Sequence, residues 1–359
     1  MFTIYNEREW RDVLKKHPLP SEEIKEEIWA KTRPYSLPLV EIGQNDADSD
    51  FDALSRLDSN SLIKEGEVFT RYEYNWDIGR RYIDSCNIGN KSSNFYHQDL
   101  RFKCDSINSP SPHRTWNNKK FFFTMLSGLW SLRFKKVDSD TLRQCIALRK
   151  YIASQFRPSA AKAVYEYFKA KRVLDFSSGW GDRLSAALAT ESVCEYNCID
   201  PNLSLRDGYS RQISNYIKSG KTINQYFLPA EEALSKIKLD VDLVFTSPPY
   251  FIIERYSKEE TQSWMRYKKL DRWLNSFLFP CLKMSWSSLR SGGVMAINIS
   301  DVYCNHTINK ICDPMNDYIS SLSGVSKIDN LNYRMAKRIN SNSNKKGIFV
   351  EPIWCWRKT

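Results

Sequence analysis

Between Arg172 and Ile299, short apolar runs alternate with stretches of helical character, and this alternation limits the fold more than any other feature. The runs are Arg172-Val173-Leu174-Asp175, Tyr196 to Ile199, a short one around Tyr226-Phe227-Leu228, Val241 to Phe245, and Val294 to Ile299. Helical stretches run from Ala160 to Lys169, with Pro158 near the first turn where a missing N–H costs nothing, and from Trp273 to Leu289. Strands separated by helices join through right-handed crossovers, so the spacing predicts an α/β, doubly wound, mostly parallel sheet. The segment Gly347 to Trp356 reads as a closing strand, with Pro352 predicting a bend or bulge.

Two of the strand ends carry chemistry. Asp175-Phe176-Ser177-Ser178-Gly179-Trp180-Gly181 follows a strand and opens a helix, where glycines let the backbone approach a ligand. Asp200, at the end of the next strand, is placed to accept from ribose hydroxyls. Asp182 at the mouth of the helix argues against a pyrophosphate, and Asp175 suits a cationic ligand such as a sulfonium. At the end of the fourth run, Thr246-Ser247-Pro248-Pro249-Tyr250 forms a stiff corner, because both prolines fix φ and lack an N–H. The Ser247 hydroxyl, nearby carbonyls and the flat Tyr250 ring suit a planar group bearing an NH2.

The net charge of +11 favours an anionic partner, and its mixed distribution favours nucleic acid over a membrane surface. Nine irregularly spaced cysteines without a CxxC pair argue for reduced thiols inside a cell and against a zinc site. The four histidines are too scattered to ligate a metal, so none is expected. No run approaches a membrane span, and the chain is expected to be soluble, in the cytoplasm of its host cell.

Residues 1–135 read as a mainly helical and irregular appendage, with helices from Glu7 to Lys16 and from Ser21 to Lys31 and an acidic solvated loop at 45–50. In 61–135, arginines interleave with aromatics, which suits phosphate and base contacts through Arg71, His97, Arg101 and Arg114. Arg334, Lys337, Arg338, Lys345 and Lys346 form a second basic candidate, read as a phosphate-contacting loop that orders on nucleic acid. A further helix begins at Ser139, with Leu142, Ile146, Leu148 and Ile152 expected in its core. Residues 136–359 make the expected second domain.

Residues 155–359 resemble the S-adenosylmethionine-dependent DNA amino-methyltransferases, including divergent viral and phage-type members. The resemblance rests on Ser247-Pro248-Pro249-Tyr250, on Asp175 to Gly181 with Ser177 at the family's first glycine, and on the helix entry Phe156-Arg157-Pro158. It implies a seven-stranded Rossmann-like methyltransferase sheet and S-adenosyl-L-methionine as cofactor. The cofactor would lie against Arg157, Pro158, Asp175, Ser177, Gly179, Gly181, Asp200, Ala230, Glu231 and Thr246. It also implies double-stranded DNA with a base flipped out against Ser247, Pro248, Pro249 and Tyr250, and a base-holding hairpin within Tyr333 to Trp356. A homodimer or a restriction partner are further options. Ser in the first position leans toward N4 of cytosine, whereas the motif order pulls toward N6 of adenine. An RNA amino-methyltransferase and a catalytically silent nucleic-acid-binding subunit stand as the alternatives.

Overall fold

The computed structural model describes residues 1–107, 109–149, 152–336 and 346–359. The chain divides into two units, the smaller formed by residues 1–41, 99–154 and 254–256 and the larger by residues 42–98, 155–253 and 257–359. The division therefore does not fall at 135 and 136: residues 42–98 belong with the motif-bearing sheet. Their attachment is specific. The buried Lys162 ammonium donates to the carbonyls of Leu54, Ser55 and Leu57 at 2.8–2.9 Å, where helix α1 (Gln44–Arg56) ends and a cation is favoured.

Helix α1 occupies the acidic stretch expected to be a solvated loop. Ala47, Phe51 and Leu54 recur at helical spacing and are buried, which outweighs the acidic composition. Asp50 is used locally, its two oxygens accepting the N–H groups of Gly89 and Lys91 at 3.0 and 2.7 Å. That contact sets the start of helix α2 (Asn90–Arg101).

The larger unit is built on a sheet of 11 strands among the described residues. They are β1 (Ile63–Glu65), β2 (Val68–Phe69), β3 (Arg81–Ile83), β4 (Arg172–Asp175), β5 (Glu195–Ile199), β6 (Thr222–Tyr226), β7 (Val241–Thr246) and β8 (Leu289–Asn298), with three near the C-terminus. Before those three, β9 (Val302–Cys304) and β10 (Thr307–Asn309) form a separate hairpin. The last three are β11 (Val325–Lys327), β12 (Leu331–Arg334) and β13 (Ile348–Lys358). The order is β1-β3-β12-β13-β8-β7-β4-β5-β6, with β2 and β11 also paired to β13.

The segment from β12 to β6 is the expected seven-stranded, mostly parallel sheet. In it only β13 runs antiparallel to its neighbours. Strands β3 and β1 extend it with residues from the N-terminal region. Central strands are buried on both faces, which is why β4 and β7 read as nearly continuous apolar runs. Pro352 sits inside β13 opposite Asn332, and its carbonyl accepts from the Asn298 amide at 3.1 Å.

Helices α3 (Pro158–Tyr167), α4 (Asp182–Ala189), α5 (Arg206–Tyr216), α6 (Ala230–Lys236), α7 (Phe279–Ser288) and α8 (Cys312–Ser320) supply the layers on the sheet. Pro158 occupies the first turn of α3, as its missing N–H allows.

In the smaller unit, Thr3–Tyr5 pairs with Val137–Asp138, and the helices Glu7–Lys16 and Glu22–Thr32 start at the caps Asn6 and Ser21. Trp10, Trp116 and Phe122 anchor its core. The helix Ser139–Arg149 buries Leu142 and Ile146. Leu148 is 64% exposed and Ile152 lies beyond the helix, so neither takes its expected core role.

Candidate active site

Strand order reverses between β4 and β7, which are hydrogen-bonded neighbours running in parallel. The loops that leave their carboxyl ends therefore emerge side by side, at the position where an open α/β sheet holds its ligand. One is the glycine turn 176–181 and the other is Ser247-Pro248-Pro249-Tyr250. A cleft of 700 Å³ lined by Lys169, Asp242, Arg290 and Gly292 lies at the opposite, amino ends of these strands and is not this crevice.

The glycine turn is fixed from three sides. Ser178 donates its N–H to the Ile199 carbonyl at 3.0 Å, tying the turn to the end of β5. The Gly179 N–H donates to Asp200 Oδ2 at 2.9 Å, and the Tyr209 hydroxyl donates to the Gly179 carbonyl at 2.9 Å. Gly179 and Gly181 both have positive φ, 62° and 72°. They differ in surroundings. A Cβ on Gly179 would meet nothing closer than the Ser177 carbonyl at 3.9 Å, whereas one on Gly181 would strike Gln212 Oε1 at 2.4 Å and His97 at 2.8 Å. Gly179 leaves open space, and Gly181 is needed for packing.

Asp175 is fully buried and its charge is met within the protein. Arg183 Nε donates to Oδ2 at 2.7 Å, and the Tyr196 hydroxyl donates to the same oxygen at 2.7 Å. The Arg183 guanidinium also bonds the Ser177 carbonyl. Burial, then the Asp175 charge, push the Tyr196 hydroxyl far above the ordinary phenol range. Asp175 thus shapes the turn from beneath. Asp200 is half-buried, each oxygen accepting one backbone N–H, from Gly179 and from Asn202 at 2.9 Å. Burial pushes its carboxyl up to about 6, against the pull of those two N–H groups.

At the second corner, Thr246 is buried and its Oγ1 has no hydrogen-bond partner among the described residues. The Ser247 hydroxyl donates to Asn298 Oδ1 at 3.3 Å. Asn298 ends β8 and is itself held by the Pro352 carbonyl. The Tyr250 hydroxyl donates to Glu351 Oε1 at 2.6 Å. Phe251 takes φ of 54°, which turns the chain away after the corner, and it is buried near Trp273 with ring centroids 6.1 Å apart.

The other expected cofactor residues are distributed as follows. Arg157 caps α3 and donates to the Tyr333 hydroxyl at 3.0 Å and to Asn87 Oδ1 at 3.2 Å, while Phe156 stacks on Tyr333. Ala230 opens α6 and is buried. Glu231 accepts from Arg266 and from the Tyr267 hydroxyl, both at 2.8 Å.

The expected DNA contacts need correction. His97 is buried beneath the glycine turn, with Nε2 3.1 Å from Gln212 Oε1, and burial lowers its ring to about 4. Gln212 Nε2 donates to the Gly181 carbonyl and to Ser185, so its oxygen is left to accept and His97 Nε2 carries the proton. A buried neutral ring cannot meet a phosphate. Arg101 is also buried, donating to the Ala153 carbonyl at 2.9 Å. Arg334 is partly covered and paired with Asp84. Arg71, Arg114 and Lys346 are exposed, while Lys337, Arg338 and Lys345 lie outside the described residues.

Asn298 and Tyr209 join the site without having been singled out in the sequence, whereas Tyr333 and Glu351 lie within the segment Tyr333 to Trp356 expected to help hold the base. Asn298 had a signal, as a polar residue closing the apolar run Val294-Met295-Ala296-Ile297. Glu351 had none of its own, since only strand pairing brings it to Tyr250.

No helix among the described residues is long and apolar enough to cross a membrane, and no group of three or more His, Cys, Asp or Glu among them could hold a metal ion. No curated protein matches the chain. Among solved structures, TrmN from Thermus thermophilus shares 13% identity at a TM-score of 0.36, over 56% of this chain and 49% of its own. An rRNA methylase from Streptococcus thermophilus shares 14% identity at 0.33, over 57% of this chain and 99% of its own. The 1,6-didemethyltoxoflavin-N1-methyltransferase of Burkholderia thailandensis, solved with S-adenosylhomocysteine, shares 13% at 0.36, over 55% and 76%. Residues 241–359, from the start of β7 onward, match the family model described as DNA methylase. The Ser-Pro-Pro-Tyr corner lies inside that matched segment, so over residues 241–359 the chain is similar to the DNA methylase family.

Proposed function

We propose that the protein methylates the exocyclic amino nitrogen of a base swung out of double-stranded DNA, with N4 of cytosine slightly favoured over N6 of adenine. The observation that carries this reading is the Ser247–Asn298 hydrogen bond. By giving its proton to Asn298 Oδ1, Ser247 keeps its lone pairs for N–H donors of an incoming group.

The residues of the crevice fit S-adenosyl-L-methionine. Asp200 retains acceptor capacity on both oxygens for ribose hydroxyls, Gly179 leaves room for close approach, and the orphaned Thr246 Oγ1 calls for a polar ligand atom. Bound there, the cofactor supplies an electrophilic methyl group on a sulfonium. The protein supplies the rest. A base amino group is a poor nucleophile because its lone pair is delocalised into the ring. Ser247 and the Pro248 carbonyl accept its two N–H groups, favour a pyramidal nitrogen and stabilise the positive charge that grows there. Tyr250, anchored by Glu351, offers its ring face to the base. Holding both reactants across one crevice supplies much of the rate.

Nucleoside mass spectrometry of DNA from cells expressing the chain tests this. N4-methylcytosine or N6-methyladenine absent from cells expressing Ser247→Ala is the expected result, and unmodified DNA in both refutes it.

A further inference from the structure

A ribbon rises from the carboxyl edge of the sheet. Strand β8 ends at Asn298, the partner of Ser247, and the β9–β10 hairpin begins four residues later. Along an extended chain Tyr303 is at most roughly 17 Å from Asn298. The hairpin turns through Asn305 and His306, both with positive φ (51° and 61°), the geometry of a two-residue turn whose twist matches its strands.

One face of the ribbon is interior, with Val302 and Cys304 buried. The other presents Tyr303 and Ile308, 48% and 50% exposed and directly opposite each other in the pairing. Three-residue strands do not hold such a pair unaided. Here the base is clamped by buried Asp301, whose Oδ1 accepts the N–H groups of Ile311 and Cys312 at 2.8 and 2.9 Å, with Lys310 Nζ 3.2 Å from Oδ2. Tyr72 reaches the Tyr303 backbone, and the exposed Arg71 lies over the Tyr72 ring at 5.5 Å. An exposed apolar pair behind the turn, with Arg71 near its base, matches the layered chemistry of a nucleic acid, bases inside and phosphates outside. The major groove admits a two-stranded ribbon, and apolar side chains wedge between base steps in other DNA complexes.

We propose that the β9–β10 hairpin is a DNA-reading finger that enters the duplex beside the target base, with Tyr303 and Ile308 against the bases and Arg71 on the backbone. This rests on the DNA reading above. The test is the KM for unmethylated genomic DNA at saturating labelled S-adenosylmethionine, with cofactor affinity measured in parallel by calorimetry. Tyr303→Ser/Ile308→Ser is expected to raise the KM on the order of tenfold, the loss of about one stacked base, at unchanged cofactor affinity. Tyr303→Phe, which keeps the ring, is expected to match wild type. A wild-type KM in the double variant overturns the proposal, as does loss of cofactor affinity alongside it, which would mark the hairpin as part of the fold. If the wild-type chain binds cofactor but labels no DNA, the DNA reading itself fails, and the finger with it.

Discussion

The Tyr250 hydroxyl donates to Glu351 Oε1 at 2.6 Å, joining the corner after β7 to a strand whose partner positions lie across β8. The ring is thereby oriented by a residue with no part in the Ser-Pro-Pro-Tyr motif. Glu351→Ala and Tyr250→Phe are each expected to lower kcat about tenfold through lost orientation. The double variant should be no worse than either single one, because both remove the same bond. Independent, additive losses in steady-state kinetics would show that Glu351 acts elsewhere.

Ser247 and Asn298 form the second such pair. On the proposed reading, Ser247→Ala removes an acceptor for the reacting amino group and should reduce kcat by about 10²–10³-fold. Asn298→Leu leaves the hydroxyl but frees its proton to point at the substrate, so most of that loss should recur. Cofactor affinity, measured by calorimetry, should be unchanged in both.

The proposed cofactor role of Asp200 carries a pH dependence. Its carboxyl is raised to about 6 by burial, and the ionised form is the stronger acceptor for ribose hydroxyls. Affinity for S-adenosylmethionine should therefore be level above about pH 7 and weaken as pH falls through 6. Asp200→Asn should bind weakly at every pH, with the slope gone.

Stability should show two opposing titrations. His97 is held neutral at about 4 in the fold, so the unfolded chain takes up its proton first and stability falls between about pH 6.5 and 4. Asp200, raised to about 6, takes its proton first in the folded state and gains stability over nearly the same window. Each amounts to about 3 kcal/mol at the acid end, and they nearly cancel. In Asp200→Asn the His97 loss stands alone. Urea unfolding at pH 7 and 4.5 should show a steeper decline for that variant than for wild type.

Asp175 is expected to matter through the fold. Asp175→Asn leaves the buried Arg183 uncompensated and should cost about 3–5 kcal/mol. Asp175→Asn/Arg183→Met should recover most of it, because an apolar replacement leaves no orphan charge. Thermal unfolding distinguishes these outcomes from a simple loss of cofactor affinity, in which both variants would melt like wild type.

The sheet and its reversal point were legible because parallel strands buried on both faces leave apolar runs, and because Gly and Pro mark the turns that follow them. Side-chain partnerships were not. Asp175 read as a ligand group because nothing local announces that Arg183, the second residue of the next helix, lies over it. His97 and Arg101 read as DNA contacts for the same reason: composition reports residue types, whereas the burial of His97 depends on α2 meeting the glycine turn and Arg101 is taken up by the Ala153 carbonyl. The helix at 44–56 was hidden by its acids, although Ala47, Phe51 and Leu54 already carried its period.

The strand β3 has a kinetic consequence. Its partner is β12, and the adjacent Asp84–Arg334 pair spans 250 residues of chain. At about 5–20 residues per second, ribosomal synthesis leaves that edge waiting roughly 13–50 seconds for its mate. During that interval the early segment presents unpaired backbone to the cell, so yield should depend on chaperone supply and growth temperature more than the folded protein's stability alone suggests.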